Sequence, residues 1–206
     1  MIESMSGKKI GILGGTFNPI HNAHLRLAKK SLEFCDLSKV LILPSGCSYL
    51  KDQSLIASKT DRINMVLLAI RDYKGFELST LETDKEGNSY TYETLHDLKS
   101  SNPEDELFFI IGADTLFNID SWMKPEEIFR LSKIIAARRD EHSDEALNER
   151  IDFLREKYGA QIILIDSPKI DISSSEIRAR IKDHLDATDM LPAEVYEYIK
   201  TKGLYL

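Results

Sequence analysis

The sequence predicts an α/β fold with a doubly wound, mostly parallel sheet. Short apolar runs alternate along the chain with stretches whose apolar residues recur at helical spacing. This alternation is typical of βαβ units, in which a helix joins two parallel strands. The length of 206 residues suits one domain with a full hydrophobic core, so we expect a single domain over residues 1–206.

The predicted strands are short runs rich in apolar residues. They are Lys9–Leu13, Val40–Leu43, Phe76–Leu81, Leu107–Ile111, Lys133–Ala137 and Gln161–Ile165.

Helical periodicity predicts two helices in the first half of the chain. One face of Asn22–Cys35 collects Leu25, Ala28 and Leu32. The predicted buried face of Thr60–Tyr73 consists of Ile63, Val66, Leu67 and Ile70. The pattern Ser58-x-x-Asp61 resembles a capping box, which would start this second helix.

The second half of the chain carries clear helix ends. A stripe of Leu147, Ile151, Leu154 and Tyr158 predicts a helix that Gly159 ends. Three serines, Ser173–Ser175, precede an acid and helix formers, which is typical of a capped helix start. We expect the last helix to open at Pro192 and close at Gly203.

The segment after the first strand carries the most informative polar residues. Residues 14–24 read Gly-Gly-Thr-Phe-Asn-Pro-Ile-His-Asn-Ala-His. Glycines let the main chain approach phosphate oxygens, and His21 and His24 add imidazole donors, so the pattern suits a polyphosphate. It fits neither GxGxxG nor a Walker loop, and a glycine turn before a helix with two incidental histidines is the plainer alternative. A zinc pair is another alternative, although no third ligand accompanies the two histidines.

The predicted helix start at Ser173–Ser175 is a second candidate anion site. A helix N-terminus has spare N–H groups, and its dipole favours negative charge. Arg178 would point back over this end and offer a fork of donors to phosphate. The plainer alternative is a capped surface helix with a solvated arginine.

The predicted topology places the polar motifs at one edge of the sheet. In open parallel sheets, ligands bind beyond the carboxyl ends of the strands, where the strand order reverses. Gly14–His24 follows the first predicted strand and Gly112–Asp114 follows the fourth. We therefore expect both segments at that edge.

The composition restricts the classes of partner. The formal net charge of −7 argues against a general nucleic-acid binder, which would carry a basic face. No run approaches transmembrane length and residues 1–9 lack the apolar core of a signal peptide, so we expect a cytoplasmic protein without a membrane partner. Cys35 and Cys47 lack metal-type spacing and are interpreted as free thiols in a reducing compartment. A homo-oligomer is compatible with the sequence.

Together, the two motifs resemble those of the nucleotidylyltransferase superfamily. His21-Asn22-Ala23-His24 is similar to its (T/H)xGH motif, and Ile172–Arg178 is similar to its ISSTxIR-like motif. Within the superfamily, the chain resembles bacterial nicotinate-nucleotide adenylyltransferases nearly from end to end. Further matching positions are Pro44, Lys51, Arg62, Met65, Ser89-Tyr90-Thr91, Thr94-Leu95, Phe109–Asp114 and Trp122.

Four residues depart from the family pattern. Ala23 replaces a glycine, Asn18 a usual aspartate, Ser175 a usual threonine and Leu50 a frequent histidine. Ala23 is tolerable if the backbone there is right-handed helical, and Ser175 keeps the hydroxyl. Asn18 loses a charge, which puts in doubt any role that needs a carboxylate.

The resemblance implies an enzyme of NAD biosynthesis that transfers the adenylyl group of ATP to nicotinate mononucleotide and releases pyrophosphate. It implies Mg²⁺ carried by the ATP phosphates, with no metal ligands from the protein. The implied catalytic residues are His21, His24 and Arg178. The implied ATP-binding residues are Gly14, Gly15, Thr16, Phe17, His24, Gly112, Asp114, Ser173, Ser174, Ser175 and Arg178. The implied mononucleotide-binding residues are Lys51, Thr91, Tyr92, Trp122 and Arg139.

Several of these residues also have plainer interpretations. Asp114 fits a ribose hydroxyl or a helix cap, Trp122 fits a pyridine platform or the core, and Lys51 fits a phosphate ligand or a solvated charge. Two other functions stay open at this point. One is a phosphopantetheine adenylyltransferase, whose chains are usually shorter, and the other is a nucleotide-binding module that has lost catalysis.

Overall fold

The structure is a computed structural model that describes residues 7–46, 56–138, 143–166 and 172–206. Its strands are β1 (Lys9–Gly15), β2 (Lys39–Pro44), β3 (Phe76–Leu78), β4 (Glu106–Gly112), β5 (Ser132–Arg138) and β6 (Ile162–Asp166). Its α-helices are α1 (Asn22–Phe34), α2 (Lys59–Ile70), α3 (Thr91–Ser101), α4 (Pro125–Leu131), α5 (Asp144–Tyr158), α6 (Ser174–Lys182) and α7 (Ala193–Lys202).

The strands form one sheet in the order β3-β2-β1-β4-β5-β6, which confirms the predicted fold class. This order is that of a doubly wound sheet of the Rossmann type, with its reversal between β1 and β4. The pairs β1–β4, β4–β5 and β5–β6 are parallel. In their register Ile12 lies opposite Phe109, and Ile135 lies opposite Ile163.

All six predicted strands are present, but β3 is shorter than predicted because the chain turns away after Leu78. Ser79 N–H, directly after β3, donates to the Ile42 carbonyl of β2 at 3.0 Å. A turn begins at Thr80, whose carbonyl accepts from Asp84 N–H at 2.9 Å. The apolar residue Leu81 therefore belongs to this turn.

The predicted helix end signals are confirmed, although α2 ends at Ile70 and not at the predicted Tyr73. Ser58 Oγ accepts the Asp61 N–H at 3.0 Å and starts α2. Gly159 and Gly203 take left-handed φ values of 65° and 61° at the ends of α5 and α7. Pro192 stands directly before α7.

The predicted buried face of α2 is wrong in part. Leu67 is 47% exposed and Ile63 is half-buried. The buried residues are Arg62, Met65, Val66, Ala69 and Ile70. The face is rotated because the Arg62 guanidinium binds backbone carbonyls, so an arginine occupies a position that hydrophobicity alone would exclude.

The described residues divide into two compact units. The first contains the described residues up to Leu13, then Ala28–Val40, and those from Tyr90 to Asp166. The second contains Gly14–Leu27, the described residues from Leu41 to Ser89, and those from Ile172 onward. The single domain over residues 1–206 stays a prediction.

Each unit has its own buried apolar residues. The first buries side chains of β4, β5 and α5, among them Ile110, Ile134, Ile135, Ile151 and Leu154. The second buries side chains of β2, α2, α6 and α7, among them Leu43, Met65, Val66, Ile177 and Val195.

Two expectations concern features outside the candidate site. Cys35 is a free thiol, as predicted, whereas Cys47 lies outside the described residues. Within the described part of the chain, none of the helices is both long enough and apolar enough to cross a membrane.

Candidate functional site

The β1–α1 segment, residues 14–24, leaves the sheet at an exposed glycine and folds back on itself. Gly14 is exposed at the end of β1. At Gly15 a Cβ would lie 3.0 Å from the ring of Phe17, so only glycine allows this ring to approach so closely. Phe17 has φ 47° and a ring that is 2% exposed. The buried Phe17 ring therefore packs inside the segment, and the Phe17 backbone forms part of the turn.

The two histidines of this segment lie against each other. Their rings stack with centroids 3.6 Å apart, and the Phe17 ring meets His24 edge-on at 5.1 Å. His21 N–H donates to His24 Nδ1 at 3.3 Å. Since Nδ1 accepts this bond, the proton of a neutral His24 lies on Nε2, which becomes a donor. His21 is 5% exposed, so His24 is the more accessible of the two.

Three backbone carbonyls of the β1–α1 segment accept hydrogen bonds from side chains elsewhere in the second unit. Arg62 Nη1 donates to Thr16 O at 2.9 Å and Arg178 Nη1 donates to Asn18 O at 2.9 Å. Ser174 Oγ donates to Pro19 O at 2.9 Å. Carbonyl oxygens repel a phosphate, and here two guanidinium groups and a hydroxyl donate hydrogen bonds to these oxygens. The segment can therefore present N–H groups to an anion.

Arg62 organises three loops from a fully buried position. Its side chain is 2% exposed and donates to Ser45 O at 2.8 Å, Gly46 O at 3.4 Å and Ala57 O at 3.3 Å, in addition to Thr16 O. A buried charge is costly unless hydrogen bonds compensate it, and four carbonyls do so here. This role of Arg62 was not predicted from the sequence. Its position among the apolar residues of α2 is the signal that could have identified it.

Asn18 has a definite role in spite of its departure from the family pattern. Its Oδ1 accepts from Ala57 N–H at 2.9 Å and from the Tyr205 hydroxyl at 2.8 Å. An amide oxygen is sufficient for this role, so the missing carboxylate charge removes neither bond. Burial raises the pKa of Tyr205 well above its usual value, although Arg178 and Arg62 act in the opposite direction. The phenol therefore remains a donor at ordinary pH.

The serines at the start of α6 have three different partners. Ser173 Oγ caps the helix by accepting Glu176 N–H at 3.1 Å, as predicted. Ser174 Oγ binds Pro19 O, as described above, and Ser175 Oγ accepts from Arg178 Nη2 at 3.4 Å. Arg178 therefore points back over the helix start, which is the orientation that the sequence predicted. Ala23 lies within α1, so its backbone is right-handed helical and its Cβ is tolerated.

In the first unit, Thr91 and Tyr92 form the first turn of α3. The first helical hydrogen bond is made by Glu93 N–H to Tyr90 O at 3.0 Å, so the N–H groups of Thr91 and Tyr92 precede the helical ladder. The Tyr92 hydroxyl donates to the Glu93 carboxylate at 2.8 Å, and this bond raises the pKa of Tyr92. Lys124 Nζ lies 4.6 Å from the centre of the Tyr92 ring.

The other predicted residues of the first unit follow β4. Gly112 ends that strand, and Asp114 is half-buried in the 3₁₀ helix Ala113–Phe117. Trp122 is half-buried and meets the Phe109 ring edge-on, with centroids 6.2 Å apart.

Arg150 of α5 holds the segment between Asp114 and Trp122. Its Nε donates to Leu116 O at 2.7 Å, and its Nη2 pairs with Asp120. Arg150 was not predicted as a site residue, because a charge within an amphipathic helix is usually solvated.

Two predicted residues, Lys51 and Arg139, lie outside the described residues. Among the residues that the structure does describe, no group of three or more His, Cys, Asp and Glu side chains is arranged to hold a metal ion.

Known proteins are similar to this chain over almost its whole length. A profile described as cytidylyltransferase-like matches residues 12–180. A Carboxydothermus hydrogenoformans protein named "probable nicotinate-nucleotide adenylyltransferase" is 40% identical over 201 residues, covering 98% of this chain and all of the relative. A Clostridium tetani protein of the same name is 39% identical over 198 residues, covering 96% of this chain and 99% of the relative.

Solved structures support the same assignment. One is the Plasmodium falciparum nicotinic acid mononucleotide adenylyltransferase complexed with NaAD, at a TM-score of 0.80 and 25% identity. The similarity covers 96% of this chain and 97% of that protein. The same enzyme complexed with APC gives a TM-score of 0.78 at equal identity and coverage.

The chain therefore belongs to the cytidylyltransferase-like family of nucleotidyltransferases. Within that class it is a member of the nicotinate-nucleotide adenylyltransferases, as the identity of 39% and 40% to relatives over nearly the full length of the chain shows.

Proposed function

We propose that this chain transfers the adenylyl group of ATP to nicotinate mononucleotide, giving nicotinic acid adenine dinucleotide and pyrophosphate in NAD biosynthesis. The observation that carries this proposal is the β1–α1 segment. Its carbonyls are bound by Arg62, Arg178 and Ser174, and the proton of a neutral His24 lies on Nε2. Relatives named for this activity align with almost the whole chain.

The reaction requires little covalent chemistry from the protein. A phosphate oxygen of the mononucleotide attacks the α-phosphorus of ATP, and the bond from that phosphorus to the pyrophosphate oxygen breaks. The attacking oxygen is already deprotonated, so no general base is needed. The protein has to align two anions and offset the charge that builds up between them.

We assign the ATP phosphates to residues of the second unit. His24 Nε2–H donates to the α-phosphate, and His21 holds His24 through the backbone bond and the ring stack. Arg178 and the start of α6, with Ser173–Ser175, bind the β- and γ-phosphates. Gly14, Gly15, Thr16 and Phe17 contribute backbone at the turn.

We assign the nucleoside and pyridine groups to residues of the first unit. The N–H groups of Thr91 and Tyr92, at the positive end of the α3 dipole, suit the pyridine carboxylate. Trp122 offers an aromatic face to the pyridine ring, and Gly112 and Asp114 offer backbone and a carboxylate to a ribose. Lys51 and Arg139 remain proposed ligands of the mononucleotide.

Mg²⁺ enters this reaction with ATP, held by phosphate oxygens as part of the nucleotide substrate. We propose small-molecule partners, ATP and nicotinate mononucleotide, and no nucleic acid. The cytoplasmic location and a homo-oligomeric state stay predictions.

The proposal is tested by offering the purified protein Mg-ATP with one of two acceptors, nicotinate mononucleotide or phosphopantetheine. We expect pyrophosphate and the dinucleotide in equal amounts with the first acceptor and no pyrophosphate with the second. A reaction without acceptor controls for ATP hydrolysis. Turnover with phosphopantetheine alone would replace the proposed function, and no pyrophosphate with either acceptor would point to a nucleotide-binding module.

A further inference from the structure

We propose that Tyr205 is a positioning residue for ATP binding, because its hydroxyl holds Asn18 and thereby the β1–α1 segment. This inference rests on the proposed function, since it assigns Tyr205 to the ATP side of that reaction.

After α7, the chain folds back onto other residues of the second unit. Gly203 has φ 61°, and Leu204 N–H donates to Ile199 O at 3.0 Å, which closes the helix end. Tyr205 itself has φ 68°, a left-handed backbone that is unfavourable for a residue with a bulky side chain. Such a conformation persists when other contacts hold it, and the hydrogen bond from the phenol to Asn18 is one of them.

Asn18 lies at the centre of the β1–α1 segment, and at least three hydrogen bonds reach it from separate parts of the described chain. Its side-chain oxygen accepts from Ala57 N–H, before α2, and from the Tyr205 hydroxyl, after α7. Its backbone oxygen accepts from Arg178 of α6. Asn18 is 5% exposed, so water does not readily replace a lost donor. Among these three donors, the Tyr205 hydroxyl can be removed by a single-atom change that leaves the backbone and Arg178 in place.

Removal of this hydroxyl affects ATP binding in particular. Without it the β1–α1 segment keeps its other bonds but samples more conformations in the free protein. ATP then binds only those molecules in which the segment is ordered. Its apparent affinity is therefore reduced in proportion to the fraction of the free protein in that conformation. One lost hydrogen bond of ordinary strength changes the equilibrium between the ordered and the other conformations by about 3- to 10-fold, which is the largest change in ATP affinity that it can cause. Once ATP is bound the segment is ordered again, so the rate of the chemical step changes little.

The test is the variant Tyr205→Phe. Its dissociation constant for Mg-ATP is measured by calorimetry without a mononucleotide, and its KM values for both substrates are measured in the complete reaction. We expect the Kd and the KM for ATP to rise by about 3- to 10-fold, with kcat and the KM for the mononucleotide within about twofold of the parent. A merely structural role would lower the folded fraction, and hence the apparent kcat, without a selective change in the KM for ATP.

Tyr198→Phe is a matched control within α7. The Tyr198 hydroxyl donates to Asp61 at 2.9 Å and accepts from Asn64 at 3.0 Å, so its removal also breaks contacts between C-terminal residues and α2. Within the described part of the chain, these partners of the hydroxyl belong to α2 and not to the β1–α1 segment. We expect its ATP affinity to equal that of the parent even if its thermal stability falls as much as that of Tyr205→Phe.

A second comparison tests whether Tyr205 acts through Asn18. Adding Tyr205→Phe to an Asn18→Ala variant should change the Kd for ATP by less than about twofold, because the acceptor is already gone. Full additivity of the two changes would overturn the inference. ATP constants for Tyr205→Phe that equal those of Tyr198→Phe would overturn it as well. If the parent binds ATP but forms no dinucleotide, the proposed function fails while the calorimetric comparison still decides this inference.

Discussion

At the residue scale, His24 illustrates how a backbone hydrogen bond determines what a side chain can offer. Because Nδ1 accepts the N–H of His21, the proton of the neutral imidazole lies on Nε2. The stacked ring of His21 and the edge of Phe17 restrict the orientation of the imidazole further. A donor held in this way needs no reorganisation when charge develops on a phosphate, which is the condition for electrostatic catalysis.

We expect His24→Ala to lower kcat by about 10²-fold or more, the usual effect of removing one preorganised donor from a transition state. The fold should be unaffected, because Phe17 and the carbonyl-binding side chains remain in place. Steady-state turnover of ATP and nicotinate mononucleotide measures the effect, with circular dichroism as a check on folding.

His96→Ala serves as the control for this prediction, since His96 lies on α3 with a side chain that is 66% exposed. It should keep the activity of the parent. If folded His24→Ala turns over within about threefold of the parent, His24 does not have the catalytic role assigned to it.

The residue scale also shows where sequence reasoning stops. The two histidines, the serine cap and the orientation of Arg178 follow from local spacing, and the structure agrees with each. The bonds of Arg62 to Thr16 and of Tyr205 to Asn18 join positions far apart in sequence. A local sequence pattern cannot predict such pairs, because both depend on how the loops and the residues after α7 pack in three dimensions.

At the element scale, three roles fall within a few residues at the start of α6. One serine caps the helix, another binds the β1–α1 segment, and an arginine supplies a positive charge. Ser173 satisfies an N–H of the first turn, and Ser174 binds the β1–α1 segment. Arg178 reaches Asn18 O with one nitrogen and Ser175 Oγ with another. The planar guanidinium makes both bonds at once and still has N–H donors for a phosphate.

We expect Arg178→Lys to lower kcat/KM for ATP by about 10-fold or more, because an ammonium cannot reproduce the fork that joins Asn18, Ser175 and a phosphate. The measurement is the kinetics with ATP as the varied substrate.

Arg180→Lys is the matched control on the same helix. Arg180 is 41% exposed and pairs with Glu176 on the surface, so this change should stay within about twofold of the parent. Unchanged ATP affinity and turnover in Arg178→Lys would make Arg178 an ordinary surface residue.

Element boundaries followed from the sequence where an end signal was local. Gly159, Gly203 and Ser173 end or start their helices as predicted. The errors arose where tertiary contacts overrode the pattern. Leu81 leaves the sheet because a turn begins at Thr80, and α2 buries Arg62 in place of Leu67.

At the scale of the whole molecule, the strand order explains why this fold suits nucleotide chemistry. Its reversal lies between β1 and β4, and the segments that follow these strands carry the glycines, His24 and Asp114. The alternation of strands and helices was sufficient to predict a doubly wound, mostly parallel sheet, whereas the order of its strands comes from the structure. The partition into two compact units was not predictable, because each unit is assembled from segments distant in sequence.

The central claim concerns the acceptor, and the start of α3 determines the expected preference. The N–H groups of Thr91 and Tyr92 can serve a carboxylate, whereas an amide would turn its own NH₂ toward donors. The Glu93 carboxylate, which could accept a hydrogen bond from an amide NH₂, already accepts one from the Tyr92 hydroxyl.

The most direct measurement is therefore kcat/KM for nicotinate mononucleotide and for nicotinamide mononucleotide, at saturating Mg-ATP with one protein preparation. We expect the nicotinate form to be preferred by about 10²-fold or more, the scale on which mispaired buried polar groups separate analogues. Equal values, or a preference for the amide, would contradict the assignment of this acceptor while leaving adenylyl transfer itself intact.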